Sequence, residues 1–114
     1  MSELVDRERI AELEQLMKEP LAEIVAELTQ SMDESIDRAQ AALTDGDLLT
    51  AARAAHRCRN DALIVGAGPL QQALATLETA SRAGETPGAQ DAFAAVADAW
   101  SKTRPELLHA AQAR

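Results

Sequence analysis

Aromatic residues and cysteine are nearly absent from this chain of 114 residues. The sequence contains no Tyr, one Phe, one Trp and one Cys. The apolar share of 46% consists mostly of Ala and Leu, a composition that favours closely packed helices over a β-sheet. A single Cys excludes an intrachain disulfide and a zinc site built from cysteines.

Long apolar runs and an excess of basic residues are also missing. No apolar segment reaches the roughly 20 residues of a membrane-spanning helix, and no basic stretch followed by an apolar run indicates a signal peptide. We therefore expect a cytoplasmic protein with no membrane partner. The net charge of −8 creates a field that repels nucleic acid, so a nucleic-acid partner is not expected either.

Apolar residues that recur every three or four positions predict an all-α fold. A chain of this length fits one domain over residues 1–114. We predict an antiparallel four-helix bundle with a short additional N-terminal helix, which ends near Pro20. The apolar stripe of the next helix carries Leu21, Ile24, Leu28, Met32, Ile36, Ala39 and Leu43.

Helix-capping and helix-breaking residues set the remaining boundaries. Asp47 follows a Gly-containing turn and is a good N-cap for the third helix, which should end at Gly66 or Gly68. A Gly- and Pro-rich loop is predicted at 84–88. Pro105 predicts a bend in the last helix or the end of its regular part.

The third helix contains His56, one of two histidines in the chain. A helical wheel places the core face of this helix on the side away from His56, which should therefore face solvent. That core face carries Leu48, Ala51, Ala55, Cys58, Ala62 and Val65. Asp61 lies at the edge of this face, so we expect it to have a hydrogen-bond partner.

The surface around His56 combines apolar and basic side chains. Exposed leucines around a polar centre are typical of a surface that docks another protein. Arg53, Arg57 and Arg59 add local positive charge that would bind a phosphate or an acidic pocket. The residues nearest His56 on the wheel are Leu49, Ala52, Arg53, Arg59, Asn60 and Leu63. The simplest alternative is that His56 and these arginines are merely solvated.

The sequence His-Arg-Cys-Arg-Asn at 56–60, with Gly-Ala at 66–67, resembles the signature of histidine-containing phosphotransfer (HPt) domains. That signature has a His, a basic residue three positions later, usually a Gly at the fourth, and Gly-Ala ten and eleven positions after the His. The resemblance implies a helical bundle that carries a phosphoryl group on its exposed His. It further implies two partners: the receiver domain of a response regulator, and a hybrid or sensor histidine kinase.

The same resemblance implies roles for single residues. His56 would be the phospho-acceptor, Arg59 would contact the phosphoryl group or the receiver, and Gly66 would be the glycine that ends the motif. Asn60 departs from the family pattern, which usually has Gly there to leave room for the partner. Leu49, Ala52, Arg53, Asn60 and Leu63 would form the partner-binding surface.

The sequence predicts a phosphocarrier, not a kinase. It has no Gly-rich nucleotide-binding loop and no carboxylate cluster beside His56 to hold a metal. We therefore expect no autokinase activity, no cofactor or metal of its own, and Mg²⁺ in the partner receiver domain. A monomer is expected.

Three other functions fit parts of the sequence. The first is a docking module that binds a receiver or kinase without transfer, which Asn60 and the exposed leucines favour. The second is the dimerisation domain of a histidine kinase, but that class usually has an acidic residue directly after the His, where this chain has Arg57. The third, a metal or haem site using His56 and His109, has little support because His109 lies in a polar setting near the C-terminus.

Overall fold

The computed structural model describes residues 4–112, and all regular structure within that range is α-helical. Helices α2, α3, α4 and α5 pack in a ring, in which α2 and α4 each contact both α3 and α5. The predicted all-α class is confirmed, and this ring is the packing expected of a four-helix bundle. The five helices are α1 (Arg7–Met17), α2 (Leu21–Thr44), α3 (Leu48–Ile64), α4 (Gly68–Arg82) and α5 (Thr86–Gln112).

The long helices α2 and α5 are joined by side-chain hydrogen bonds as well as by the core. The predicted stripe of α2 is buried except for Leu28, which is partly buried. On α5, Trp100 donates its indole N–H to Asp33 Oδ1 at 2.8 Å, and Arg104 donates to both oxygens of Asp33. Because its only polar group is satisfied in this way, the Trp100 ring can pack in the core.

Helix α3 packs closely against α2 and α4 because its inward side chains are small. Small side chains let α2 and α4 approach closely and leave one open side of α3 facing solvent. The helix begins as predicted, with Asp47 Oδ1 accepting a hydrogen bond from the Thr50 N–H at 3.1 Å. The buried residues of α3 are Ala51, Ala52, Ala54, Ala55, Cys58 and Ala62.

The segment before α1 is held against the turn between α3 and α4. The Asp6 N–H donates to the Val65 carbonyl at 3.4 Å, and the Arg9 guanidinium donates to the Leu63 carbonyl at 3.3 Å. Gly66 ends α3 with a φ of 65°, and a Cβ at this position would overlap the Cβ of Asp6. Glycine at 66 therefore permits both the left-handed turn and the close approach of the N-terminal segment.

Replacing Gly66 with Ala is expected to destabilise the protein by two separable effects. A left-handed backbone costs a non-glycine residue about 1–2 kcal/mol, and the clash with Asp6 adds about 1–3 kcal/mol of overpacking. Gly46→Ala is the matched control, since Gly46 has a φ of 73° with no atom near its missing Cβ. Urea unfolding should show the larger loss for Gly66→Ala, and equal losses would rule out the contact with Asp6.

The structure corrects the predicted start of α5 and excludes one of the two alternatives predicted for Pro105, the end of the regular helix. The helix begins at Thr86, so part of the loop predicted at 84–88 is the first helical turn, where a proline is well tolerated. The helix also continues through Pro105 to its C-terminal turn. One lost backbone hydrogen bond does not end a helix whose following turns bury Leu107 and Ala110 in the core.

Candidate functional site

The open side of α3 carries His56 at its centre. The imidazole side chain is 47% exposed, as the helical wheel predicts. Leu49 and Leu63 lie seven residues before and after it, about 10 Å away in each direction along the same side of the helix. They are 53% and 50% exposed. His56 is therefore the centre of a row with an exposed leucine at each end.

The other predicted surface residues divide into two groups. Arg53 and Asn60 are exposed, and Arg59 is partly covered. Ala52 is completely buried, so the prediction that it contacts a partner is wrong. Ala52 lies one helical turn before His56 on α3, and a wheel of α3 alone does not show where the neighbouring helices pack.

Two further residues of α3 have structural roles. Asp61 accepts a hydrogen bond from the Ser31 hydroxyl at 2.7 Å, which is the partner that its position predicted. Cys58 is fully buried. Burial, together with the negative charges of Asp61 and Asp33, raises the pKa of the Cys58 thiol to about 12, so the thiol stays protonated and unreactive.

The main contact of the imidazole comes from Glu78 on α4, which the sequence analysis did not assign to the site. Glu78 Oε2 lies 3.1 Å from His56 Nδ1, and Glu78 Oε1 lies 3.4 Å from Arg59 Nη1. Arg82, one turn further along α4, approaches Oε2 to 3.0 Å. One signal in the sequence could have identified Glu78 as a site residue. Glu78 is a carboxylate within the buried stripe of α4, and such a group requires partners.

The contacts of Nδ1 define the tautomer of His56. The Glu78 carboxylate can only accept a hydrogen bond, so Nδ1 must carry the hydrogen and donate it. Arg59 Nη2 is also 3.4 Å from Nδ1, but an arginine can only donate. Donation from Arg59 would require a bare Nδ1 facing a carboxylate oxygen at 3.1 Å, with two lone pairs opposed. We therefore assign the proton to Nδ1, which leaves the lone pair on Nε2.

Charge at the site is positive despite the acidity of the chain. Burial raises the pKa of Glu78, but hydrogen bonds from Arg82 and His56 and the charge of Arg59 outweigh it, so that its pKa lies below the usual range. Glu78 is thus ionised at neutral pH. One carboxylate and two guanidinium groups leave one net positive charge beside the imidazole. No described residue forms a hydrogen bond with Nε2, which is open to an incoming group.

Comparison with known proteins identifies this arrangement. Residues 23–112 match the sequence model of the Hpt domain family. The chain belongs to the Hpt domain family. Members of this family are phosphocarriers in phosphorelays, where they interact with receiver domains and histidine kinases. No curated protein has a significantly similar sequence.

Two solved structures share the fold of this Hpt domain. Histidine-containing phosphotransfer protein B from Pseudomonas aeruginosa PAO1 superposes with a TM-score of 0.90 at 20% identity, over 100% of this chain and 99% of that chain. A putative histidine-containing phosphotransfer protein from rice gives a TM-score of 0.78 at 19% identity, over 96% of this chain and 82% of that chain. At these identities the similarity concerns the fold.

Neither a metal-binding group nor a membrane span is found in the described part of this Hpt domain. Across residues 4–112, no three His, Cys, Asp or Glu side chains are grouped to hold a metal ion. None of the five helices is both long enough and apolar enough to cross a membrane.

Ionisation of Glu78 should make the stability of this Hpt domain depend on pH. Because its pKa is lowered in the folded state, Glu78 contributes stability that is present above the ordinary Glu pKa of about 4.3 and is lost as the pH falls through its folded value. Between pH 7 and pH 3, the melting temperature should fall further for the wild type than for Glu78→Gln, which cannot titrate. Equal decreases would contradict the assigned ion pairs.

Proposed function

We propose that this protein is the histidine phosphotransfer component of a two-component phosphorelay. In this proposal, His56 accepts a phosphoryl group on Nε2 from the phosphoaspartate of a receiver domain and passes it to another receiver. The observation that carries the proposal is the orientation of the imidazole, with Nδ1 bound to Glu78 and Nε2 open to solvent on an exposed helix face.

The chemistry requires one bond exchange and no net proton transfer. The Nε2 lone pair attacks the phosphorus of the acyl phosphate, the Nε2–P bond forms, and the P–O bond to the aspartate breaks. The aspartate leaves as a carboxylate, and onward transfer reverses these steps on a second aspartate. Because the proton already resides on Nδ1, none has to leave Nε2, and Glu78 stabilises the positive charge that develops on the ring.

The arginines of the site supply electrostatic stabilisation. Arg59, which the sequence analysis assigned to the phosphoryl group or the receiver, lies beside the ring, and Arg82 is paired with Glu78. Both are held in place by Glu78, so they need little reorganisation when the negatively charged phosphoryl group arrives. Leu49 and Leu63, with Arg53 and Asn60, form the surface that contacts the partner in this proposal.

The partner supplies what this chain lacks. Phosphoryl transfer from an aspartate needs a divalent cation, and we assign Mg²⁺ to the receiver domain because its aspartate is where the charge of the acyl phosphate is held. A hybrid or sensor histidine kinase would be the source of the phosphoryl group. The protein itself is proposed to act as a cytoplasmic, monomeric phosphocarrier without autokinase activity.

A transfer assay tests this function. The protein is incubated with a panel of receiver domains that have been phosphorylated with labelled acetyl phosphate. The proposal predicts label on this protein that is lost in acid and retained in base, as is typical of a phosphohistidine. Receiver binding without label on the wild-type protein would instead indicate the docking module.

A further inference from the structure

An open groove between α3 and α4 begins one turn from His56. It has a volume of about 420 Å³ and is lined by residues that include Arg59, Asn60, Leu63, Gln71, Gln72 and Ala75. Arg59 belongs to both the groove and the His56 site. The groove is therefore continuous with the surface that a phosphoryl donor must contact.

Three of the side chains that line the groove are carboxamides. No hydrogen bond within residues 4–112 uses the carboxamide of Asn60, Gln71 or Gln72 as donor or acceptor. Each carboxamide offers both, in the same arrangement as a peptide group. Arg59 is the only charged side chain of the lining, and its ion pair with Glu78 holds it at the His56 site. The open groove with its mixed lining also differs from the mostly apolar, enclosed pockets that bind small molecules.

The two helices that flank α3 differ in charge. The only charged residues of α4 are Glu78 and Arg82, which pair with each other. Helix α2 has one basic residue, Arg38, and four exposed carboxylates. Protein interfaces are depleted of charge at their centre. A partner that docks on α3 is therefore expected to contact α4, which carries fewer charged residues than α2. The exposed carboxylates of α2 are Glu23, Glu27, Glu34 and Asp37.

We propose that the groove binds an uncharged, extended loop of the receiver partner, with Asn60, Gln71 and Gln72 hydrogen-bonded to its peptide groups. This inference rests on the proposed function, because it takes the partner to be the receiver that exchanges phosphate with His56. Gln71 and Gln72 determine which receivers dock and do not take part in the transfer step. The partner then extends from His56 over α4, away from the more acidic helix α2.

The double variant Gln71→Ala/Gln72→Ala tests the groove, and Gln40→Ala/Gln90→Ala is its matched control. Gln40 and Gln90 are exposed glutamines of α2 and α5 in a separate depression. Phosphoramidate is used first, since it phosphorylates imidazole without a protein partner: the Nε2–P bond forms, the P–N bond breaks and ammonia leaves. All variants should take this label at rates within twofold of the wild type.

Transfer from a phosphorylated receiver domain is then measured. For Gln71→Ala/Gln72→Ala the KM for the receiver should rise about tenfold, as expected for the loss of two hydrogen bonds, with kcat within twofold. The control should keep the wild-type KM. Ala75→Trp, which fills the groove, should raise KM at least as much. An unchanged KM in both groove variants would overturn the inference, as would an equal rise in the control.

The two proposals fail in different ways. If phosphoramidate and all receivers leave the wild type unlabelled at His56, the phosphotransfer function is wrong. If phosphoramidate labels His56 but no receiver exchanges phosphate with it, the receiver is not the partner and the occupant assigned to the groove is wrong. If the wild type exchanges phosphate with a receiver and both groove variants keep the wild-type KM, the function stands and the groove inference is overturned.

Discussion

The His56→Gln variant is expected to take up no phosphoryl group from any donor. Glutamine has no ring nitrogen with a nucleophilic lone pair, so the Nε2–P bond cannot form. The fold should persist, because the imidazole is half exposed and fills no part of the core. Labelled receiver domains and phosphoramidate are the two donors to test, and circular dichroism should show wild-type helicity.

The second histidine of the chain supplies the control. His109 is exposed near the end of α5, and His109→Gln should accept label at the wild-type rate. Label that survives in His56→Gln, or that disappears in His109→Gln, would contradict the assignment of His56 as acceptor. A loss of helicity in His56→Gln would contradict its exposed placement.

The Glu78→Ala variant is expected to transfer phosphate about 10- to 100-fold more slowly, by analogy with the loss of a group that orients a metal-binding histidine. Without the carboxylate, Nδ1 has no acceptor, and the proton can move to Nε2 and block the nucleophile. Arg59 and Arg82 lose the group that holds them beside the ring. The single-turnover rate with a saturating phosphorylated receiver measures this effect on the transfer step.

Two variants separate orientation from charge at this position. Glu78→Gln keeps an oxygen that can accept from Nδ1 but removes the negative charge, so its rate should lie between those of Glu78→Ala and the wild type. Asp98→Ala removes an exposed carboxylate of α5, whose partner is Lys102, and should leave transfer unchanged. A wild-type rate in Glu78→Ala would show that the carboxylate does not position His56.

Much of the fold could be predicted from periodicity and capping residues alone. The apolar stripe of α2 is buried nearly as predicted, and Asp47 caps α3 through its side chain. The exposure of His56 also follows from one helical wheel, because the predicted core face of α3 lies on the side away from it. These features depend on local sequence or on a single amphipathic helix, for which sequence patterns are informative.

The features that could not be predicted depend on contacts between helices. Glu78 is 22 residues from His56 in the chain, and only the packing of α4 on α3 brings them together. Ala52 is also buried, although the wheel places it near the open side. Likewise, the approach of Asp6 to Gly66 joins segments that are distant in sequence. A wheel gives the angle of a residue but does not identify the neighbouring helix.

The phosphorylated atom is the most direct test of the assigned site. After phosphorylation from a receiver domain, ¹⁵N–³¹P correlation by NMR identifies which nitrogen of which histidine carries phosphorus. The hydrogen bond between His56 Nδ1 and Glu78 predicts phosphorus on His56 Nε2, with the proton retained on Nδ1. Phosphorus on Nδ1 of His56, on His109 or on neither histidine would contradict the account of the site.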